Sequence, residues 1–320
     1  MLYSVIVPVY NRPNEIDELL QSLTRQNFKD FEVLIIEDGS EEKCEHIAEK
    51  YSDQLDIHYF YKENTGQGFS RNFGFDRANG QYFLVFDSDC IIPENYFESV
   101  NQFLELNPVD CWGGPDKAHP SFTAMQKAIN YSMTSFFTTG GIRGNEKRVS
   151  NFHPRSFNMG ISRKVYETTG GYKITRMGED LEFSIRIIKN GFRTALIPDA
   201  YVYHKRRTDF KQFYKQLHFF GRARINIHRF YPEELKGIHF IPVAFIAGIP
   251  LSILFILLSL PVLSKSFILY FLYAGLLFFD CLRKEKDIKI SVMATIAGFI
   301  QLTAYGLGLI EELGLQSKTE

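Results

Sequence analysis

Three consecutive residues, Asp87-Ser88-Asp89, carry the first chemical signal in the chain. Two carboxylates one residue apart repel each other unless a cation lies between or beside them. They offer hard oxygen donors, which suit Mg²⁺ or Mn²⁺ held together with the phosphates of a substrate. Asp and Ser are also ordinary turn residues, so the triplet alone also reads as a solvated turn. The residues before it add weight to the chemical reading. Tyr82-Phe83-Leu84-Val85-Phe86 is aromatic and branched with no polar alternation, the mark of a strand buried on both faces. The acids therefore stand where a buried strand ends, and in open α/β sheets ligands bind outside the carboxyl ends of the strands. A second acidic end, Glu37-Asp38-Gly39-Ser40, follows the apolar run Phe31–Ile36. A third pair, Glu179-Asp180, precedes Leu181, Ser184, Ile185 and Ile188 at helical spacing, where an acid is also simply stabilised by the helix macrodipole.

The elements that must position these groups can be read in order. Tyr3–Val9 is a β-branched strand, followed by a turn at residues 10–13. Asn14 is the expected cap of the next helix, with Glu15, Asp17 and Glu18 in its first turn and Leu19, Leu20 and Leu23 on its buried face. Phe31–Ile36 is the second strand, a charged helix falls near Glu41–Tyr51, and Ile57–Tyr61 is the third strand. The loop Asn64–Gly68 opens a helix through Gly74, and the stretch ending at Asp87 is the fourth strand. Alternation at this spacing predicts a parallel, doubly wound sheet. A helix is expected from Pro93-Glu94 to Leu106, a strand and tight turn at Asp110–Pro115, a helix and loop near an acceptor at Ala118–Gly144, a helix at Arg163–Thr169, and a strand pair at Phe192–Pro198 and Ala200–Tyr203. Trp112, the one tryptophan, suits core packing and sugar stacking alike.

Several classes are disfavoured. The position after the first strand holds Pro-Val-Tyr-Asn rather than a glycine fingerprint, Arg71 occupies the third glycine position after Gly66 and Gly68, and no GxxxxGK[ST] occurs. A net charge of −1 leaves no global basic footprint for nucleic acid. Four scattered cysteines without a CxxC pair suggest neither a zinc site nor a disulfide framework. The N-terminus, without a basic leader region, reads as a first strand rather than a signal peptide.

The ordered segments SVIVPVYNR, IIEDGS, NTGQGFSRNFGF and FDSD resemble family 2 of the inverting nucleotide-sugar glycosyltransferases, over residues 3–205. The resemblance implies a GT-A fold, Rossmann-like with a mostly parallel central sheet. It implies that Pro8, Tyr10 and Asp38 line the nucleotide pocket, with Asp38 accepting from a base or ribose donor. Arg71 would face the diphosphate or buttress the aspartates. Asp87 and Ser88 would hold the donor on its ribose side, and Asp89 would ligate Mn²⁺ or Mg²⁺ on the diphosphate. The family also carries an Asn-Met segment like Asn158-Met159 and a Glu-Asp pair. By that likeness Asp180 is the base that deprotonates the acceptor hydroxyl and Glu179 supports it. His204 matches a position where many GT-A enzymes place a further metal ligand, although an isolated His is more often structural. The donor base is expected to be uracil by family frequency.

Beyond the catalytic region, residues 1–207, the character changes. Phe210, Phe213, Leu217 and Phe220 recur at helical spacing among Lys211, Lys215, Arg222, Arg224 and Arg229. Residues 208–236 thus read either as a basic amphipathic helix in the membrane interface or as a surface helix of the catalytic domain. Arg206 and Arg207 suit diphosphate or lipid head groups. Ile238–Leu263, Ser266–Leu282 and Ile290–Ile310 each approach the ~20 residues that cross a bilayer, giving a membrane region of residues 237–311 and a tail of residues 312–320. The second stretch is short, so two spans plus a re-entrant segment is the alternative. Three spans place the basic loop Arg283–Asp287 on the cytoplasmic side with the catalytic domain, and only Leu263–Lys265 outside. The expectation is a multi-pass enzyme of the inner (cytoplasmic) membrane. It would transfer sugar from a UDP-sugar to a lipid-linked glycan hydroxyl in envelope, capsular or exopolysaccharide assembly, with membrane lipids as neighbours and no nucleic acid partner. The alternatives are a polyprenyl-phosphate glycosyl transferase resembling dolichyl-phosphate mannose synthase, a processive synthase, and a non-catalytic nucleotide-sugar-binding scaffold. Processive members carry a Gln/Arg-x-x-Arg-Trp motif where this chain reads QLHFFGRAR, without Trp.

Overall fold

A computed structural model describes residues 1–139, 152–258 and 263–316. Its strands are β1 Tyr3–Val9, β2 Phe31–Asp38, β3 Asp56–Lys62, β4 Tyr82–Phe86, β5 Cys90–Ile91, β6 Cys111–Gly113, β7 Asp116–Lys117, β8 Asn158–Ser162, β9 Thr194–Leu196 and β10 Val202–His204. Its helices are α1 Pro13–Thr24, α2 Glu45–Lys50, α3 Gln67–Phe75, α4 Tyr96–Leu106, α5 Ala124–Thr134, α6 Phe136–Thr139, α7 Arg163–Thr169, α8 Glu179–Lys189, α9 Phe210–Phe230, α10 Ile241–Leu257, α11 Ile268–Glu285 and α12 Ile288–Gln316. The chain forms two compact units. The first is Met1–His119 with Glu146–Lys205, and the second is Pro120–Asn145 with Arg206–Glu320.

The first unit is built on a seven-stranded sheet in the order β3-β2-β1-β4-β8-β6-β9. The first four strands are mutually parallel, whereas β8 runs antiparallel to both β4 and β6. Side chains alternate across a strand, and the sequence fills both faces. Val5, Val7, Val33, Ile35, Leu84 and Phe86 pack with residues of α1, α2 and α4. Ile6, Leu34, Ile36, Phe83 and Val85 pack with residues of α3, α7 and α8. Trp112 is core: it is fully buried, edge-on to Tyr82. Gly160 lies flat beneath it, and a Cβ there would drive into the indole.

Local readings needed correction. Arg12, not Asn14, is the N-cap residue of α1, with no side-chain cap bond, because Pro13 takes the first helical position. The helix expected at Glu41–Tyr51 is confined to Glu45–Lys50, and that expected from Pro93 begins at Tyr96. The strand pair expected between residues 192 and 203 is not a pair. β9 joins β6 in the large sheet, whereas β10 pairs with β5 and β7 in a separate three-stranded sheet.

The second unit holds three helices long and apolar enough to cross a membrane, at Gly237–Leu257, Lys265–Glu285 and Ile288–Leu315. Residues 259–262 of the first predicted stretch, 140–144 of the expected helix and loop, and 317–320 of the tail lie outside the described residues. The start of the tail is not a tail: α12 continues through Gln316, and Glu312 is buried. The reading of residues 1–207 as one domain differs from the structure over α5. Ile129 and Met133 pack with Phe213, Leu217, Ala297 and Ala304, and Ala128 and Tyr131 pack with Leu277, Cys281 and Ala294. The apolar stripe of α9 is likewise covered within this unit. Two of its arginines are taken up by α12, Arg222 Nε at 2.9 Å and Arg229 Nη2 at 2.8 Å from Glu312.

Candidate active site

The ten residues expected to bind donor or metal or to act as base, Pro8, Tyr10, Asp38, Arg71, Asp87, Ser88, Asp89, Glu179, Asp180 and His204, fall in the first unit, and Arg206 and Arg207 in the second. Because β1, β2 and β4 are parallel, their carboxyl ends share one edge of the sheet, and that edge receives Tyr10, Asp38 and Asp87. β8 runs the other way and begins there, with Asn158 opposite Phe86. Asn158 is fixed by the Tyr96 hydroxyl at 2.6 Å and by its own bond to the Ala200 carbonyl at 2.8 Å.

Of the residues expected to line the nucleotide pocket, Pro8 is half-buried at the end of β1 and Tyr10 is 51% exposed. Asp38, by contrast, is buried and largely occupied. Its Oδ1 accepts from Lys62 Nζ and the Thr65 amide and its Oδ2 from the Gly66 amide, the two amide bonds at 2.9 Å. A carboxylate has about four acceptor positions, and a side-chain hydrogen bond from Ser70 joins these three, so Asp38 is satisfied within the protein. Burial alone would raise the Asp38 pKa, but hydrogen bonds from Lys62 and the Thr65 amide outweigh it and hold the group below its usual value. Gly66 opens α3 with φ at +89°, and a Cβ there would strike Thr175.

Arg71 is 1% exposed. It donates to Asp87 at 2.8 Å and reaches Glu179 at 3.4 Å, with its guanidinium 5.3 Å from the Tyr172 ring centre. It bridges these two acids and so joins the end of β4 to the head of α8. Glu179 also accepts from Gln67. Its burial, then the charge of Asp180, raises its pKa above the ordinary glutamate value. Met177 and Gly178 both have positive φ, turning the chain sharply before α8. Asp180, the next residue after Glu179, keeps a side chain 20% exposed and has Arg155 at 3.3 Å. The two acids therefore sit in unlike surroundings, one sequestered and one accessible.

The remaining pair depends on the small sheet. Antiparallel β5 and β10 place His204 opposite Cys90, and the Lys205 amide donates to the Asp89 carbonyl at 3.1 Å. His204 Nε2 stands 3.1 Å from Asp89 Oδ1, its ring stacked on Phe157. The other ring nitrogen, His204 Nδ1, is buried without a hydrogen-bond partner. Donors adjacent on an octahedron of radius ~2.1 Å lie about 3 Å apart, so this carboxylate and imidazole fit a divalent cation such as Mn²⁺. Cys90 Sγ is close to both, but burial, then the charges of Asp89 and Asp87, pushes its thiol pKa well up. Ser88 is buried between the two aspartates.

Four contributors were missed: Arg12, 2.5 Å from Asp89; Lys62; Gln67; and Arg155. Gln67 lies between Gly66 and Gly68 and Arg12 ends the SVIVPVYNR segment, whereas Lys62 and Arg155 stand in no motif. A cation opposite an acid at a strand end was the available signal, and it becomes specific only once strand order is known.

The profile described as Glycosyl transferase family 2 matches residues 4–170, just over half of the chain. An uncharacterized glycosyltransferase of Rickettsia typhi is 39% identical over 109 residues, 34% of this chain and 33% of that protein. The minor teichoic acid biosynthesis protein GgaB of Bacillus subtilis is 25% identical over 213 residues, 65% of this chain and 23% of its own length. The chain thus spans a third or less of these curated relatives. Among solved structures, the mannosyltransferase PcManGT of Pyrobaculum calidifontis, in complex with GDP-Man and Mn²⁺, superposes with TM-score 0.64 at 15% identity, over 93% of this chain and 86% of that one. S. aureus TarS 1-349 in complex with UDP-GlcNAc gives 0.51 at 20% identity, over 99% and 92%. At these identities the likeness is one of fold, a mostly parallel GT-A-type sheet.

Proposed function

The chain belongs to glycosyl transferase family 2, and on that premise we propose a membrane-anchored inverting glycosyltransferase that takes sugar from a nucleoside-diphosphate donor, a UDP-sugar in the first instance. The acceptor is a hydroxyl of a lipid-linked glycan in cell-envelope, capsular or exopolysaccharide assembly. The observation that carries the reading is the β5–β10 register, which brings His204 within 3.1 Å of Asp89 beside the carboxyl end of β4.

Asp89 and His204 would hold Mn²⁺ or Mg²⁺, which supplies positive charge to the leaving diphosphate. Pro8 and Tyr10 take the nucleoside, Asp38 accepts from a base or ribose donor in place of one of its present partners, and Asp87 and Ser88 border the ribose. Asp180 accepts the acceptor's hydroxyl proton at its half-buried but accessible carboxylate, and Arg155 steadies it. Glu179 and Arg71 hold the head of α8 against β4. The relationship to GgaB supports an envelope polymer as the setting. The three apolar helices support an anchor, and the basic turn between the second and third, Arg283-Lys284-Glu285-Lys286, supports a cytoplasmic catalytic unit by the positive-inside rule.

The test is binding of UDP, GDP and dTDP to detergent-solubilised protein, with and without Mn²⁺, for wild type and Asp89→Asn. Metal-dependent binding of one nucleotide, lost in the variant, is the expected result. Binding of none under any condition removes the reading.

A further inference from the structure

We propose that Arg12 is the resident counter-cation of Asp89 and competes with a divalent ion for that carboxylate. The inference rests on the metal reading above and extends it. Arg12 Nη1 lies 2.5 Å from Asp89 Oδ2, on the oxygen not facing His204. The placement is built by the chain. Asn11, at φ +52°, turns the backbone after β1 through a left-handed conformation that Asn tolerates better than most residues. Its amide donates to Ser40 Oγ at 2.8 Å, and its side-chain oxygen accepts from the Glu41 amide at 2.9 Å. Arg12 follows and reaches Asp89 with a side chain that remains about one-third exposed, 32%.

A buried carboxylate needs a partner, and Arg12 supplies it before any metal arrives. A divalent ion on Asp89 then meets a guanidinium already in place, and the two cations repel. The bare ion therefore binds weakly. A donor changes the balance, because its diphosphate brings two phosphates that a planar guanidinium recognises well. Metal and donor accordingly favour each other's binding, and Arg12 discourages capture of metal without substrate.

The experiment is Mn²⁺ binding, followed by electron paramagnetic resonance or calorimetry on the full-length protein in detergent without nucleotide. Wild type, Arg12→Gln, Arg12→Lys and Asp89→Asn are compared. Coupling between sites commonly spans about 5- to 150-fold, and an increase of about tenfold in Mn²⁺ affinity is expected for Arg12→Gln. Arg12→Lys retains the charge and should stay near wild type, and Asp89→Asn should lose binding. A merely structural arginine would leave affinity unchanged or lower it in Arg12→Gln, and either result overturns the inference while leaving the metal site standing. Absence of Mn²⁺ binding in wild type and Arg12→Gln alike overturns both.

Discussion

Glu179 and Asp180 are neighbours in sequence with different surroundings, and substitution should separate them. Asp180 is the accessible acid, and a positioned general base commonly contributes about 10²- to 10⁴-fold. Asp180→Asn is expected to lower kcat by that order while leaving nucleotide affinity unchanged, measured by initial rates and direct titration. Preserved turnover would instead point to an acceptor phosphate, which needs no strong base. Arg71 is the opposite case. It is fully buried between Asp87 and Glu179, and removing one member of a buried pair leaves a charge stranded. Arg71→Met should cost about 3 kcal/mol, seen as a lower unfolding midpoint, whereas an unchanged midpoint would show that Glu179 simply takes up a proton. Asp38 and Asp87 were legible in the sequence because each follows an apolar run, and Glu179-Asp180 because the pair heads a helical apolar stripe. Apart from Arg71, their cations were not, since Arg12, Lys62 and Arg155 look like any surface charge until the strands are laid side by side.

At the scale of the element, the sheet is held by polar bonds as well as by its two apolar faces. Glu32 of β2 is buried and accepts from Ser4 of β1 at 2.5 Å and from the Asn79 amide before β4 at 2.6 Å. Burial would raise its pKa, but these bonds, with His58 beside it, hold it below the ordinary value, as Lys62 and Thr65 do for Asp38. A depressed acid contributes stability that is fully present above the unfolded-state pKa and is lost as pH falls through the folded one, because the unfolded chain binds more protons there. The first unit should therefore lose stability on the acid side, below about pH 4, and Glu32→Gln should flatten that limb of a melting-temperature profile. Glu179 has the opposite sign: its raised pKa favours the protonated folded state, and its contribution weakens as pH rises above the unfolded value. Gly160 makes a steric prediction. Its missing side chain is the space for Trp112 on the adjacent β6, so Gly160→Ala should destabilise by about 1–3 kcal/mol through overpacking, measured by thermal unfolding. No sequence motif marked that glycine, because the contact exists only once β8 has inserted antiparallel between β4 and β6.

At the scale of the molecule, the division into two units decides what can be cut away. α5 lies between β7 and β8 in sequence, yet Ile129, Tyr131 and Met133 are buried with α9, α11 and α12. A chain ending at Lys205 therefore leaves those residues uncovered. It is expected to elute from size exclusion as aggregate, and a monodisperse, active truncation would refute this. The sequence by itself determined the parallel half of the sheet, the acidic strand ends, the family likeness and the three apolar helices. Those features are written in local periodicity, composition and motif order, which need no partner to be read. Tertiary structure decided the pairing of β10 with β5, the burial of Arg71, the neighbours of Asp89 and the allegiance of α5. Each depends on which distant segments lie together, and an isolated histidine, arginine or amphipathic helix reads the same in the sequence whichever neighbour it finally meets.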